Sequence, residues 1–103
     1  MKQHIYIIGE IGQAHEGSIG LAHAYIDALA HAGANAAKFQ VHIAEAESSI
    51  YEDFRVTIPY ENGSRLDYWK RMEFSRDEWD GLKKHCEKAG LHFLASPFSL
   101  AAV

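Results

Sequence analysis

Five stretches of the chain show a regular alternation or clustering of apolar side chains, and they set the order of the elements. Ile5 to Ile11 is a short β-branched run closed by Gly12, which predicts a buried strand because a helix needs ten or more residues to establish itself. Ser18 is an N-cap. Ala22, Tyr25, Ile26, Leu29 and Ala32 then share one helical face, and Gly33 supplies the left-handed stop. Beyond Asn35, the apolar residues Ala37, Phe39, Val41 and Ile43 alternate with Lys38, Gln40 and His42, the period of a strand with two unlike faces. Residues 44 to about 74 keep no period and carry Pro59 and Asn62-Gly63, so a long loop is expected, with a helical turn at Asp67 to Met72. Ser75-Arg76-Asp77-Glu78 is a capping box, Phe74 and Trp79 stand at the two positions of a hydrophobic staple, and Leu82, Cys86 and Ala89 continue the apolar face to Gly90. Leu91 to Ala95 is a third strand ended by Ser96-Pro97, and Ser99 to Val103 opens a further helix.

The order β-α-β-loop-α-β predicts parallel strands joined by right-handed crossovers in an α/β protein. A doubly wound sheet and a (β/α)₈ barrel both satisfy it. The polar positions of the second strand favour the barrel, whose interior accepts side chains from one strand face. On that reading the chain supplies three of eight strands, since a whole barrel takes about 250 residues. Lys38 and Gln40 should then point to the concave side while Phe39 and Val41 pack on helices.

Composition narrows the function. At 103 residues, 48% hydrophobic and 23% charged, the chain has the make-up of a globular domain. Its net charge is -4, and acids intersperse its Lys and Arg residues, so no basic patch is present for nucleic acid. Cys86 is the sole cysteine and the seven histidines lack zinc-finger spacing, which points to a reducing compartment. Ile5 to Ile8 is too short an apolar run for a signal-peptide core or a membrane span, so the cytoplasm is expected.

The candidate chemistry lies at the carboxyl ends of the three strands, where parallel α/β architectures build their sites: Glu10, Lys38 with Gln40, and Ser96. A lysine between Ala37 and Phe39 either binds an anion or lies on an edge strand. Glu10 lies in a glycine-rich segment, Gly9, Gly12 and Gly17, that would let backbone approach a ligand. On position alone it is equally a carboxylate that bonds its own loop. His42 is expected to be a solvated loop histidine, and Cys86 a buried structural thiol. Tyr60, Tyr68 and Trp69 either line a lid or pack beside the second helix. His15-Glu16 does not begin a zinc-protease helix, because Ile19 occupies the place of the second histidine, and no nucleotide-binding glycine motif is present.

Three blocks in order resemble the sialic acid synthases, including those that make pseudaminic and legionaminic acids. They are Ile8-Gly9-Glu10-Ile11-Gly12-Gln13-Ala14-His15-Glu16-Gly17, Ala37-Lys38-Phe39-Gln40, and Phe93-Leu94-Ala95-Ser96-Pro97-Phe98, with Met72-Glu73-Phe74-Ser75 entering the second helix at the matching interval. Ala14 stands where that family usually has asparagine, and Ala95-Ser96 where many members have Ser-Thr.

The resemblance implies a (β/α)₈ barrel that condenses phosphoenolpyruvate with an N-acetylmannosamine-type sugar. Glu10, Lys38 and Gln40 would be catalytic. Lys38 would pair with phosphoenolpyruvate, Ser96 would donate to its phosphate, and Gln40 and Glu10 would line the sugar and metal side. It further implies a divalent metal, manganese or magnesium, acting as a Lewis acid on the aldehyde oxygen through ligands outside these residues. A homodimer and a C-terminal antifreeze-like domain, both of the full-length protein, are implied as well. Residues 1–103 would be the N-terminal piece of the barrel domain, inactive alone. Two other readings stay open: a non-catalytic barrel fragment serving assembly or binding, and another barrel enzyme using a phosphorylated substrate.

Overall fold

A computed structural model describes residues 5–43 and 70–103. The elements are β1 (Ile8–Gly12), α1 (Ile19–His31), β2 (Ala36–Val41), α2 (Arg76–Lys88) and β3 (His92–Pro97), followed by a single 3₁₀ turn, Leu100–Ala102. Residues 70–72 are helical. The expected turn at Asp67 to Met72 is met there, while its first half lies outside the described residues, as do Pro59, Asn62-Gly63, Tyr60, Tyr68 and Trp69.

The strands form one parallel sheet in the order β1-β2-β3. Its fold is α/β, three successive strands of a (β/α)₈ barrel with both helices on one face. Local chemistry explains the helix bounds. Ser18 Oγ accepts from the Leu21 N–H to open α1, and Gly33 takes φ 87° just beyond its end. In α2 the capping box closes in both directions, with Glu78 N–H donating to Ser75 Oγ and Ser75 N–H donating to Glu78 Oε1. Phe74 meets Trp79 edge-on at 5.2 Å, completing the staple.

Asn35 ties the amino ends of the strands together. Its N–H donates to Ile7 O, its side-chain oxygen accepts from Ile7 N–H, and its carbonyl accepts from His92 N–H. β1 begins at Ile8 rather than Ile5, and it is not the buried strand that its composition suggests. Ile5 is 77% exposed and Ile8 48%, because β1 borders the sheet among the described residues and the face Ile8 occupies carries no helix. β3 likewise runs from His92 to Pro97, one residue later than its apolar run, since Leu91 is spent closing α2 onto the core and its N–H bonds Cys86 O.

The core lies between sheet and helices. Ile11, Ala22, Ile26, Ala37, Phe39, Leu82, Cys86 and Leu91 are buried in one cluster. Phe39 is its centre, fully buried, stacked on Phe93 at 5.7 Å and edge-on to Trp79 at 5.6 Å. Since side chains alternate across a strand, burying Phe39 against the helices turns Lys38 and Gln40 to the other face, as their spacing predicts. Val41 is half-buried on the helix side, in a groove with Phe74 and Trp79.

Candidate active site

Registered partners in a parallel sheet share a face, so the pairing of Glu10 with Lys38, and of Gln40 with Ser96, lines four polar residues along the open face, the first pair at mid-strand and the second near the strands' carboxyl ends. Lys38 Nζ lies 3.6 Å from Glu10 Oε2, with both side chains partly exposed. The sequence left two possibilities for Lys38, an edge strand or an anion. β2 is the central strand of the described sheet, and the anion beside Lys38 is the carboxylate of Glu10.

Gly12 shapes the space beside them. With φ at 56° it takes a left-handed turn and breaks the β1 register after Glu10. A Cβ there would stand 3.6 Å from Gln40 Nε2 and 3.8 Å from Glu10 Oε1, so the missing side chain leaves a small gap bordered by a donor and a carboxylate. The other two glycines of the segment serve packing instead. Gly9 faces the Leu29 side chain, and Gly17, at φ 82°, lies against the backbone of Arg71 so closely that a Cβ would overlap its carbonyl oxygen.

His42 corrects the sequence reading. It is only 8% exposed, not a solvated loop residue. Its Nε2 lies 3.0 Å from Gln40 Oε1, and its ring stacks on Phe98 with centroids 4.3 Å apart. The alternation of Lys38, Gln40 and His42 carried the signal, but the covering ring comes from the end of β3, and no local pattern announces it. His15 is buried behind the same end of the sheet, 4.5 Å from the Phe74 ring. Its Nδ1 accepts the Gly17 N–H, which puts the proton of the neutral ring on Nε2, and that atom has no hydrogen-bond partner among the described residues. Burial, and then the neighbouring His42, hold His15 below its ordinary value near 6.5. Burial likewise raises the Cys86 thiol from 9.0 to about 11, as befits the inert structural cysteine expected.

A second polar cluster, not foreseen, lies away from this site between the helices. Asp27 Oδ1 accepts from His85 Nε2 at 2.7 Å, and His85 Nδ1 lies 2.7 Å from His23 Nδ1. The i, i+4 spacing of His23 and Asp27 puts both on one face of α1, a signal present in the sequence. Among the described residues no group of three or more His, Cys, Asp or Glu is arranged to hold a metal.

The chain is 33% identical to the N-acetylneuraminate-9-phosphate synthase of Mus musculus over 107 aligned positions, and 33% identical to that of Homo sapiens over 103. Those matches take in 99% and 95% of the chain but 29% and 28% of the relatives, so the chain spans under a third of their length. In structure it matches the N-acetylneuraminic acid (sialic acid) synthetase of Leptospira borgpetersenii, solved in complex with citrate, at a TM-score of 0.75 and 33% identity, over 97% of this chain and 31% of that one. It also matches the spore coat polysaccharide biosynthesis protein spsE of Bacillus subtilis at a TM-score of 0.64 and 27% identity, over 99% and 26%. The model of the NeuB family matches residues 25–103, well over half of the sequence, and the chain belongs to that family.

Proposed function

We propose that the chain is the N-terminal part of a barrel enzyme that condenses phosphoenolpyruvate with the open-chain aldehyde of an N-acetylmannosamine-type sugar. The products are a sialic acid-like nonulosonic acid and phosphate. The observation that carries this reading is the alignment of a lysine, a carboxylate, a carboxamide and a hydroxyl, Lys38, Glu10, Gln40 and Ser96, on one face of three adjacent parallel strands, from mid-strand to the carboxyl ends. The alkene carbon of phosphoenolpyruvate bonds to the aldehyde carbon, whose oxygen becomes a hydroxyl. Water adds at the neighbouring carbon, and the phosphate group departs.

Lys38 supplies fixed positive charge to phosphoenolpyruvate, which carries both a carboxylate and a phosphate. A multiply charged ligand competes with the single carboxylate of Glu10 for it, and Glu10, once displaced, turns to the sugar. Gln40 borders the sugar side beside the Gly12 gap, and Ser96 donates to phosphate. The proposed cofactor is a divalent metal, manganese or magnesium. The described residues do not fit as its full ligand set, and the roles proposed for these four side chains do not depend on it. No described helix is long and apolar enough to cross a membrane, and we take the full-length protein to be a cytoplasmic homodimer.

Steady-state kinetics on the full-length enzyme, with phosphoenolpyruvate varied at saturating sugar, test the assignment. Lys38→Ala should lower kcat/KM for phosphoenolpyruvate roughly a hundredfold or more. Lys38→Arg should recover only part of the loss, because a planar guanidinium has a different reach. Ser96→Ala removes one neutral hydrogen bond and should cost roughly two- to tenfold. If Lys38→Ala stays within about threefold of wild type, under 1 kcal/mol, the lysine is structural and the proposed site is wrong.

A further inference from the structure

The contact between His42 and Gln40 fixes which end of a carboxamide the pocket receives. A glutamine side chain presents either an acceptor oxygen or an amino donor, and rotating it by half a turn about its last bond exchanges the two at almost no steric cost. Here the carbonyl end, Oε1, lies 3.0 Å from His42 Nε2. A carbonyl oxygen only accepts, so His42 Nε2 carries a proton and donates. The amino end is thereby turned toward Gly12, where Nε2 borders the gap it shares with Glu10 Oε1.

The ring that makes this choice is itself held. His42 directly follows β2, is 8% exposed, and stacks on Phe98 with planes 21° apart. Phe98 is anchored in turn, for its N–H donates to Val41 O and continues the β2–β3 ladder one step beyond the strands. The path from the β3 end to Phe98, to His42, to Gln40 is therefore continuous.

We propose that His42 is a positioning residue for the sugar side of the site: it holds Gln40 with its amino group facing the pocket, so that the pocket offers a hydrogen-bond donor to a substrate oxygen next to the carboxylate of Glu10. This rests on the function proposed above and adds a residue to it. A donor and a carboxylate side by side suit a polyhydroxylated substrate, whose hydroxyls both accept and donate. A Gln40 turned the other way would put two acceptors together and repel the oxygen that both should bind.

A double-mutant cycle on the full-length enzyme, with the sugar varied at saturating phosphoenolpyruvate, tests this. His42→Phe keeps a ring to stack on Phe98 and removes the donor. It should lower kcat/KM for the sugar roughly three- to tenfold in the otherwise wild-type enzyme, the range one neutral hydrogen bond commands. On a Gln40→Ala background the same change should cost less than about twofold, because a residue acting only through Gln40 has nothing left to position. Equal losses on both backgrounds, or no loss in the wild type, would overturn the proposal, as would a silent Gln40→Ala. Should His42→Phe fail to fold, the nitrogen chemical shifts of His42 in the unmutated enzyme decide. A protonated Nε2 coupled to Gln40 supports the role, and a bare Nε2 removes it. Lys38→Ala, assayed alongside with phosphoenolpyruvate varied, separates the two levels. If it abolishes turnover while the cycle is additive, only the role of His42 falls. If it too is silent, the proposed function falls.

Discussion

At the scale of single residues, the exposed pair Lys38–Glu10 contributes little to folding, at most about 1 kcal/mol, because water competes for both charges. In the proposed site its value would be as a charge held in place and available to a ligand. Buried titratable groups behave differently, and two of them give opposite dependences on pH. His15 is held below 6.5 by burial and by His42, so below that pH the unfolded chain binds a proton that the folded chain resists. The stability that neutral His15 gives is complete above about pH 6.5 and is lost as pH falls from there toward its lowered folded value. Cys86 is raised from 9.0 to about 11, so its contribution is complete below pH 9 and is lost as pH climbs to 11, on the order of 2–3 kcal/mol over the whole window. Denaturant unfolding at stepped pH, comparing wild type with His15→Gln and with Cys86→Ala, should show the acid slope reduced in the first variant and the alkaline slope reduced in the second. A wild-type alkaline limb that Cys86→Ala leaves unchanged would mean that the thiol ionises freely in the fold.

At the scale of elements, the helix starts were fully legible because their signals are local. Ser75 and Glu78 lie three residues apart and satisfy each other's backbone donors, whatever the rest of the chain does. Replacing Ser75 by Ala leaves the Glu78 N–H without that acceptor and should cost about 1 kcal/mol, read as a lowered denaturation midpoint at unchanged m-value. An unchanged midpoint would show that the entry to α2 is held by the Phe74–Trp79 contact alone. Strand starts were less legible, since they depend on neighbours distant in sequence. β1 enters the sheet at Ile8 because Asn35 takes both backbone groups of Ile7, and nothing in Ile5-Tyr6-Ile7 itself marks that boundary. The helix pair shows the same limit. His23 and Asp27 share a face by spacing, but only the packing of α1 on α2 brings His85 between them.

At the scale of the whole molecule, the placement of the candidate site's residues was legible in part for the same reason. Lys38, Gln40, Glu10 and Ser96 follow from strand period and parallel topology, whereas the ion pair, the Gly12 gap and the burial of His42 arise from residues that meet only in three dimensions. The described sheet and the segments at its ends also expose apolar surface. Ile5, Tyr6, Ile7 and Ile8 are each about half exposed or more, Phe98 is 49% exposed, and Leu100 and Val103 are almost fully so. Within the described sheet, β1 and β3 each have one side without a strand partner. Unpaired strand edges beside apolar side chains recruit further chains unless something covers them. The matched relatives are more than three times as long, and a whole α/β barrel pairs both sheet edges and encloses the open face with its remaining strands. A polypeptide of residues 1–103 prepared alone should therefore self-associate in a concentration-dependent way and bind a hydrophobic dye, while the longer barrel protein proposed above should bind no such dye. Sedimentation velocity over a range of concentrations measures the first and dye fluorescence the second. Replacing Ile8, on the open face of β1, by Lys should weaken the association of the 103-residue chain, since an edge lysine opposes pairing with another sheet. A short chain that stays monomeric and dye-silent at all concentrations would show that its own residues already cover the face.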